Sequence, residues 1–189
     1  MRVLVAGASG AIGTRLVPQL TDRGHEVTGT CHSPDKAEQL RALGAEAVVL
    51  DALDGRAVRE AVKGAEPDAI IHQATALANV RLGRNLDRTF ASTNRLRTEG
   101  TDNLLAAAQD ASVRRFVAQS FASLRYARGG GMVKSEEDPL DPDPLAKTRE
   151  TNAAMRHLDQ AVTDAGGIAL RYGGFYGASN DGVVGPVRK

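Results

Sequence analysis

Cysteine is almost missing: Cys31 is the only one in 189 residues. A lone thiol excludes an internal disulfide and fits a reducing compartment, so a cytoplasmic protein is expected. Excess charge is missing too, with 24 Lys and Arg against 23 Asp and Glu. Without a basic stripe there is no footprint for nucleic acid. No run of about 18 apolar residues occurs, so no membrane span is expected. The first residues read as a strand and carry no signal-peptide pattern. There is no internal repeat and no low-complexity tract. No His, Cys or carboxylate group shows metal-ligand spacing, and no metal is expected. The length suits one domain with a sizeable core.

What is present begins at once. An apolar strand runs into Gly7-Ala8-Ser9-Gly10-Ala11-Ile12-Gly13, and a helical pattern follows. Strand, glycine triplet and helix in this order make a dinucleotide cradle. Gly7 permits the tight turn, Gly10 lets the backbone approach a pyrophosphate, and Gly13 lets helix and strand pack closely. The N–H groups of the loop and helix start, from Ser9 through Ala11 and Ile12, then face the phosphates, helped by the helix dipole. A plain glycine turn is the bland alternative, and the flanking strand and helix weigh against it.

Apolar runs alternate with helical patterns over the rest of the chain. The strand-like runs are Val3–Ala6, Val27–Thr30, Ala47–Leu50, Ala69–His72, Phe116–Ala118 and Ile168–Arg171. Short continuous runs suit strands buried on both faces of a parallel sheet. Ile12, Leu16 and Leu20 mark the first helix, which Pro18 should weaken or kink. Pro34 suits the start of the second. Leu96, Leu104, Leu105 and Ala108 mark a long middle helix, and Ala154, Met155, Leu158, Ala161 and Val162 mark the last. Six alternations predict an α/β fold: a doubly wound parallel sheet with helices on both faces and right-handed crossovers. Its ligand belongs outside the carboxyl ends of the strands. Residues 125–144 and 173–189 read as loops.

The second strand ends in Gly29-Thr30-Cys31-His32-Ser33. A carboxylate there would bind the ribose 2′-hydroxyl of NAD; none is present. His32, Ser33 and Lys36 could hydrogen-bond a 2′-phosphate, which favours NADP over NAD. Alternatively His32 and Lys36 are ordinary solvated residues. Asp51 and Ala52 follow the third strand, where the Asp51 carboxylate either accepts from an adenine amino group or simply shapes a turn. Asp54 fits a helix cap better, ahead of Gly55–Val62.

The pattern as a whole resembles the short-chain dehydrogenase/reductase superfamily, in its extended or atypical branch of NAD-dependent epimerase/dehydratase-like proteins. The stretches that carry it are 7–13, Val48-Val-Leu-Asp51, 70–76, Glu99-Gly-Thr-Asp-Asn-Leu-Leu105, 114–120 and 170–177. The resemblance implies a Rossmann domain over residues 1–177. It places Gln73, Ala74 and Thr75 along the cofactor and brings Tyr172 near its nicotinamide end. Dimerisation through the middle and last helices is common in such proteins, so a homodimer is a possible partner arrangement.

Two departures stand out. Family members that transfer hydride carry Tyr-x-x-x-Lys, in which the Tyr acts as acid and base and the Lys lowers its pKa. The three tyrosines here, Tyr126, Tyr172 and Tyr176, have Gly130, Tyr176 and Asn180 four residues on. Matching Met155-Arg-His-Leu-Asp159 to the family's Lys-x-x-x-Glu puts Thr151 and Met155 in the Tyr and Lys places. Met155 also lies on the apolar stripe, which suits core packing. Phe121 falls at the family's catalytic Ser, with Ser120 a residue away. Tyr126 and Ser120 are therefore the candidate catalytic residues. His72 reads as a packed strand residue, His157 as solvated on the last helix, and His25 as a turn residue. The second departure is length: residues 178–189 form a tail where the family's smaller substrate domain begins. The expectation is a truncated chain, or a cleft that a partner covers, with exposed apolar surface.

Three functions compete. One is an NAD(P)-dependent oxidoreductase or epimerase acting on a small polar substrate with a non-standard catalytic pair. Another is a cofactor-responsive binding module without catalysis, and the third is an inactive fragment of such an enzyme.

Overall fold

In the computed structural model the described residues are 1–77, 80, 84–123, 125–127, 129–131 and 133–175. The expected tail at 178–189 and Tyr176 lie outside them. Six parallel strands form one sheet in the order β3-β2-β1-β4-β5-β6. They are β1 Arg2–Ala6, β2 Glu26–Cys31, β3 Glu46–Val49, β4 Ala69–His72, β5 Arg115–Phe121 and β6 Ile168–Tyr172. All six expected runs are strands, shifted only at their ends.

The apolar runs pair off by alternation across the sheet. Leu4, Ala6, Ile70, Phe116 and Ala118 point to one face. They pack there against Val58 and Val62 of α3 (Gly55–Ala65), Leu104 and Ala107 of α6 (Thr101–Asp110), and Leu158 and Val162 of α7 (Arg149–Asp164). Val3, Val5, Val27 and Cys31 point to the other face. Val17 of α1 (Gly13–Thr21) and Ala37 and Leu40 of α2 (Pro34–Ala42) cover them. Among the described residues no helix covers that second face at its β6 edge. Ile168 and Leu170 stand 58% and 39% exposed there.

Local chemistry sets the ends of these elements. Pro34 opens α2, where its missing N–H costs nothing. Asp54 caps α3, accepting from the N–H groups of Arg56 and Ala57 at 3.0 and 3.1 Å. Pro18 does not end α1, which runs on to Thr21.

The middle helix is less regular than its apolar spacing predicts. After α4 (Leu86–Thr89) it opens as α5 (Ala91–Arg95), widens into a π segment over Leu96–Gly100, and resumes as α6. The π segment turns Arg97 into the protein, where it is 6% exposed.

Candidate functional site

The carboxyl ends of β1, β2 and β4 meet through main-chain bonds. The Ala8 N–H donates to the Thr30 carbonyl at 3.0 Å, and the Gln73 N–H donates to the Ala6 carbonyl at 2.8 Å. The Gly7 N–H donates to Thr30 Oγ1 at 3.2 Å. This knits the glycine loop to both neighbouring strands.

Gly7 has φ +79°, and a Cβ there would lie 2.6 Å from Ala74 Cα. Only glycine serves both demands. At Gly13 a Cβ would lie 2.2 Å from the Ala8 carbonyl oxygen, so α1 seats directly on the turn that leaves β1. Gly10 donates to the Gly7 carbonyl at 3.1 Å and accepts from the Thr14 N–H at 3.0 Å. Ser9 is half-buried, Ala11 is exposed and Ile12 precedes the first turn of α1. The first N–H groups of a helix lack intrahelical acceptors. A dinucleotide pyrophosphate fits this cradle by donor chemistry, and exposed Gly10, with no side chain, leaves the approach to it open.

Around the cradle, His32 is exposed while Ser33 and Lys36 are half-buried at the start of α2. The Lys36 ammonium donates to Gln39 Oε1 at 3.1 Å on the same helix. Asp51 is exposed and its Oδ1 accepts from the Leu53 N–H at 2.9 Å, an Asx turn. Ala52 is buried, and its carbonyl accepts from Asn103 Nδ2 at 3.1 Å. Gln73, Ala74 and Thr75 leave β4 beside Gly7. Gln73 Nε2 lies 3.5 Å from the Tyr172 hydroxyl, so the ends of β4 and β6 approach one another across β5.

The places that the resemblance gives to the family's proton relay are otherwise occupied. Thr151 is buried and its hydroxyl accepts from Asn94 Nδ2 at 3.1 Å. Its N–H donates to Asp87 Oδ1 at 2.8 Å. Met155 is 1% exposed, as its place on the apolar stripe implies. Phe121 is half-buried at the end of β5.

The two catalytic candidates do not share an environment. Ser120 is fully buried and its hydroxyl accepts from Arg125 Nη1 at 3.1 Å. That places it beneath the sheet end, on the α7 side, and away from solvent. Tyr126 is half-buried, and its strand-like bridge to Leu140 holds it past β5. Its side chain lies near the Arg171 guanidinium and interacts with its charge.

Sequence reasoning missed the ion cluster that links them. Asp159 Oδ2 accepts from Arg125 Nη1 at 2.7 Å and from Arg171 Nε at 2.9 Å. Burial opposes the Arg171 charge, but the bond to Asp159 and the interaction with Tyr126 hold its pKa above the ordinary value. Burial pushes Arg97 down to about 10; Arg125 adds to the fall and Asp159 opposes it. His72 ends β4 at 2% exposure, and burial pushes it down to about 4. The Leu96 carbonyl opposes that shift, and the Arg97 charge adds to it. The one signal in the sequence was Asp159, which matches the family's Glu; isolated arginines inside a loop and a helix give no periodic cue. His157 is exposed on α7, but its Nε2 lies 2.7 Å from Asp102 Oδ1 and so ties α7 to α6.

A depression lined by Arg2, Glu66, Asp68 and Arg115 lies at the amino ends of the strands, opposite the cradle. Its Arg2–Glu66 ion pair is exposed and closes at 2.6 Å. No helix among the described residues is long and apolar enough to cross a membrane.

Comparison with known proteins agrees with this geometry. A 3-diazoavenalumate denitrifying reductase of a Streptomyces species is 44% identical over 94% of this chain and 57% of its own length. A 4-hydroxy-2-methyl-3-oxo-4-farnesyl-3,4-dihydroquinoline-1-oxide ketoreductase of Stigmatella aurantiaca is 30% identical over 84% of this chain and 45% of its own. The chain thus spans about half the length of these relatives. The UDP-glucose 4-epimerase of Thermus thermophilus, solved with NAD, superposes with a TM-score of 0.75 at 25% identity, over 100% of this chain and 60% of the other. The sequence profile of the NAD(P)H-binding family matches residues 7–166. With a glycine loop that fits a pyrophosphate and a six-stranded sheet in this order, the chain belongs to the NAD(P)H-binding family and has the fold of the NAD-dependent epimerase/dehydratase-like short-chain dehydrogenases/reductases.

Proposed function

We propose that the chain is the cofactor-binding part of an NADP-dependent reductase whose acceptor needs no proton from the protein. One observation carries this reading: the cradle stands complete, while the proton-relay places hold a threonine already bonded to Asn94 and a buried methionine. An epimerase must take a proton from a hydroxyl as well as return one, which neither side chain does. The bound dinucleotide would supply a hydride. Gly7–Gly13 hold the pyrophosphate, Asp51 and Ala52 meet the adenine, and His32, Ser33 and Lys36 face the 2′-phosphate. Gln73, Ala74 and Thr75 line the cofactor, with Tyr172 at its nicotinamide end.

The Streptomyces relative, named for removing nitrogen from a diazo compound, supports an acceptor of this kind where that nitrogen is held as a diazonium cation. When hydrogen replaces an aryl diazonium group, hydride bonds to the terminal nitrogen, dinitrogen leaves, and the hydrogen ends on carbon. The added hydride balances the cationic charge, and no net proton is consumed. A ketone differs, because its oxygen must be protonated.

A second reading keeps Tyr126 as acid for a carbonyl acceptor. Its favouring observation is the Arg171 charge, which lies near enough to the phenol for the two to interact. Ser120 is too deeply buried to share that role.

Parallel calorimetric titrations with NADPH and NADH test the cofactor assignment. Tighter NADPH binding is expected, and no binding by folded protein refutes both readings. NADPH oxidation is then followed with a carboxylated aryl diazonium salt and with a ketone, against enzyme-free controls. Dinitrogen release that survives Tyr126→Phe supports the first reading. Ketone turnover lost in Tyr126→Phe supports the second. Binding without any turnover leaves a cofactor-responsive module.

A further inference from the structure

Three guanidinium groups crowd one carboxylate beneath the ends of β4, β5 and β6. Arg125 and Arg171 share Asp159 Oδ2, and Arg97 lies close enough to Arg125 to be disfavoured by its charge. Arg125 is 1% exposed and Arg97 6%. Among the described residues Arg97 Nε, Arg125 Nε and Arg125 Nη2 are buried with no acceptor. His72 adds a fourth donor. Its Nδ1 accepts from the Ala74 N–H at 3.3 Å, so the neutral ring carries its hydrogen on Nε2. That Nε2 is buried and makes no hydrogen bond of good geometry, although the Leu96 carbonyl lies near the ring.

The unpartnered buried atoms of this layer are mostly donors, with one Asp159 oxygen and the Asn94 Oδ1 as the acceptors beside them. Their charge is positive in excess. Burying unpaired guanidinium groups is costly unless an anion offsets them. The backbone also goes out of its way to create the arrangement. The π segment over Leu96–Gly100 interrupts a helix and turns Arg97 inward, and such segments recur at functional sites.

We infer that Arg97 and Arg125, with the His72 Nε2–H, hold a small monoanion, a carboxylate or a halide, beneath the carboxyl ends of β4–β6. Guanidinium N–H groups suit carboxylates in particular, through paired donors in one plane. Arg171, 27% exposed, and half-buried Tyr126 form the solvent side of the layer. The anion is either drawn from solution or is the carboxylate of a larger ligand that enters past these two side chains. The inference does not depend on the cofactor or on turnover.

The test uses the whole chain without cofactor, in HEPES at constant ionic strength. Sodium chloride, sodium formate and sodium cinnamate are titrated in turn, with the melting temperature as readout and the 35Cl line width as a direct probe for chloride. A saturable rise in melting temperature with formate or chloride is expected, weakened at least tenfold in midpoint in Arg97→Met and Arg125→Met. Saturation by formate and chloride alike marks a solution anion. Saturation by formate and cinnamate without chloride marks the carboxylate of a larger ligand. If a methionine variant fails to fold, Arg97→Lys keeps the charge, removes the fork and is expected to show the same weakening. The inference is overturned if no anion gives a saturable shift, or if the variants respond like the parent.

Discussion

His72 should make this fold acid-sensitive well above the range where carboxylates titrate. The imidazole is 2% exposed at the end of β4 and is held at about 4, against an ordinary 6.5. Below pH 6.5 the unfolded chain takes up a proton that the folded chain refuses. Stability is therefore intact above pH 6.5, declines as pH falls toward 4, and has lost its full share below that. Linkage over this interval gives a loss of about 2 kcal/mol between pH 7 and pH 5, and about 3 kcal/mol once the folded form also titrates. Asp87 is held below its ordinary value despite burial, by hydrogen bonds from Thr151, Glu150 and Arg149. Its contribution is lost only at lower pH, and the other three histidines are common to parent and variant, so the difference between the two from pH 7 to pH 5 reports His72. Urea unfolding at three pH values in that window measures the slope. His72→Asn keeps an acceptor for the Ala74 N–H and removes the titration, so its stability should vary with pH by about 2 kcal/mol less than the parent. Equal slopes in parent and variant would refute the assignment.

Other expectations follow from single contacts. Gly13→Ala places a methyl group 2.2 Å from the Ala8 carbonyl oxygen, so α1 must lift off the turn. A cost of about 1–3 kcal/mol in chemical denaturation is expected, with at least tenfold weaker NADPH binding by calorimetry. Asp54→Ala removes the acceptor of two N–H groups at the start of α3. It should cost about 1 kcal/mol in urea unfolding and leave cofactor affinity unchanged. Leu170 and Ile168 are exposed on a sheet face that no described helix covers. Leu170→Thr keeps strand propensity and should reduce self-association in sedimentation without lowering the melting temperature.

The cradle was legible in the sequence because its demands fall on single backbone positions. A positive φ at Gly7 and the tight seat of Gly13 admit no other residue, so the spacing alone announces them. The strands were legible for a similar reason. A parallel sheet covered on both faces needs continuous apolar runs, and Val3–Ala6 and Ala69–His72 are such runs. The arginine cluster was not legible. Arg97, Arg125 and Arg171 come from a helix, a loop and a strand, and nothing periodic joins them. A charged residue in any of those places reads as solvated until its burial is known. The π segment was hidden too, because Leu96, Leu104 and Leu105 satisfy helical spacing from either side of the widened turn.

The same contacts explain why the proton relay is not one substitution away. Restoring a lysine at 155 would put an ammonium where Met155 is 1% exposed, at a cost of several kcal/mol without a paired carboxylate. The nearest acid along that helix face, Asp159, already serves Arg125 and Arg171. A tyrosine at 151 would have to displace the Asn94–Thr151 bond and leave a buried amide without its acceptor. Asn94 already carries an oxygen without a donor. Each half of the missing pair is thus held out by neighbours whose own requirements are met by the residue now present. The cradle and the occupied relay positions belong to one arrangement, which fits a dinucleotide and, on the proposed reductase reading, leaves any proton to the acceptor or to a side chain outside the Tyr-x-x-x-Lys positions.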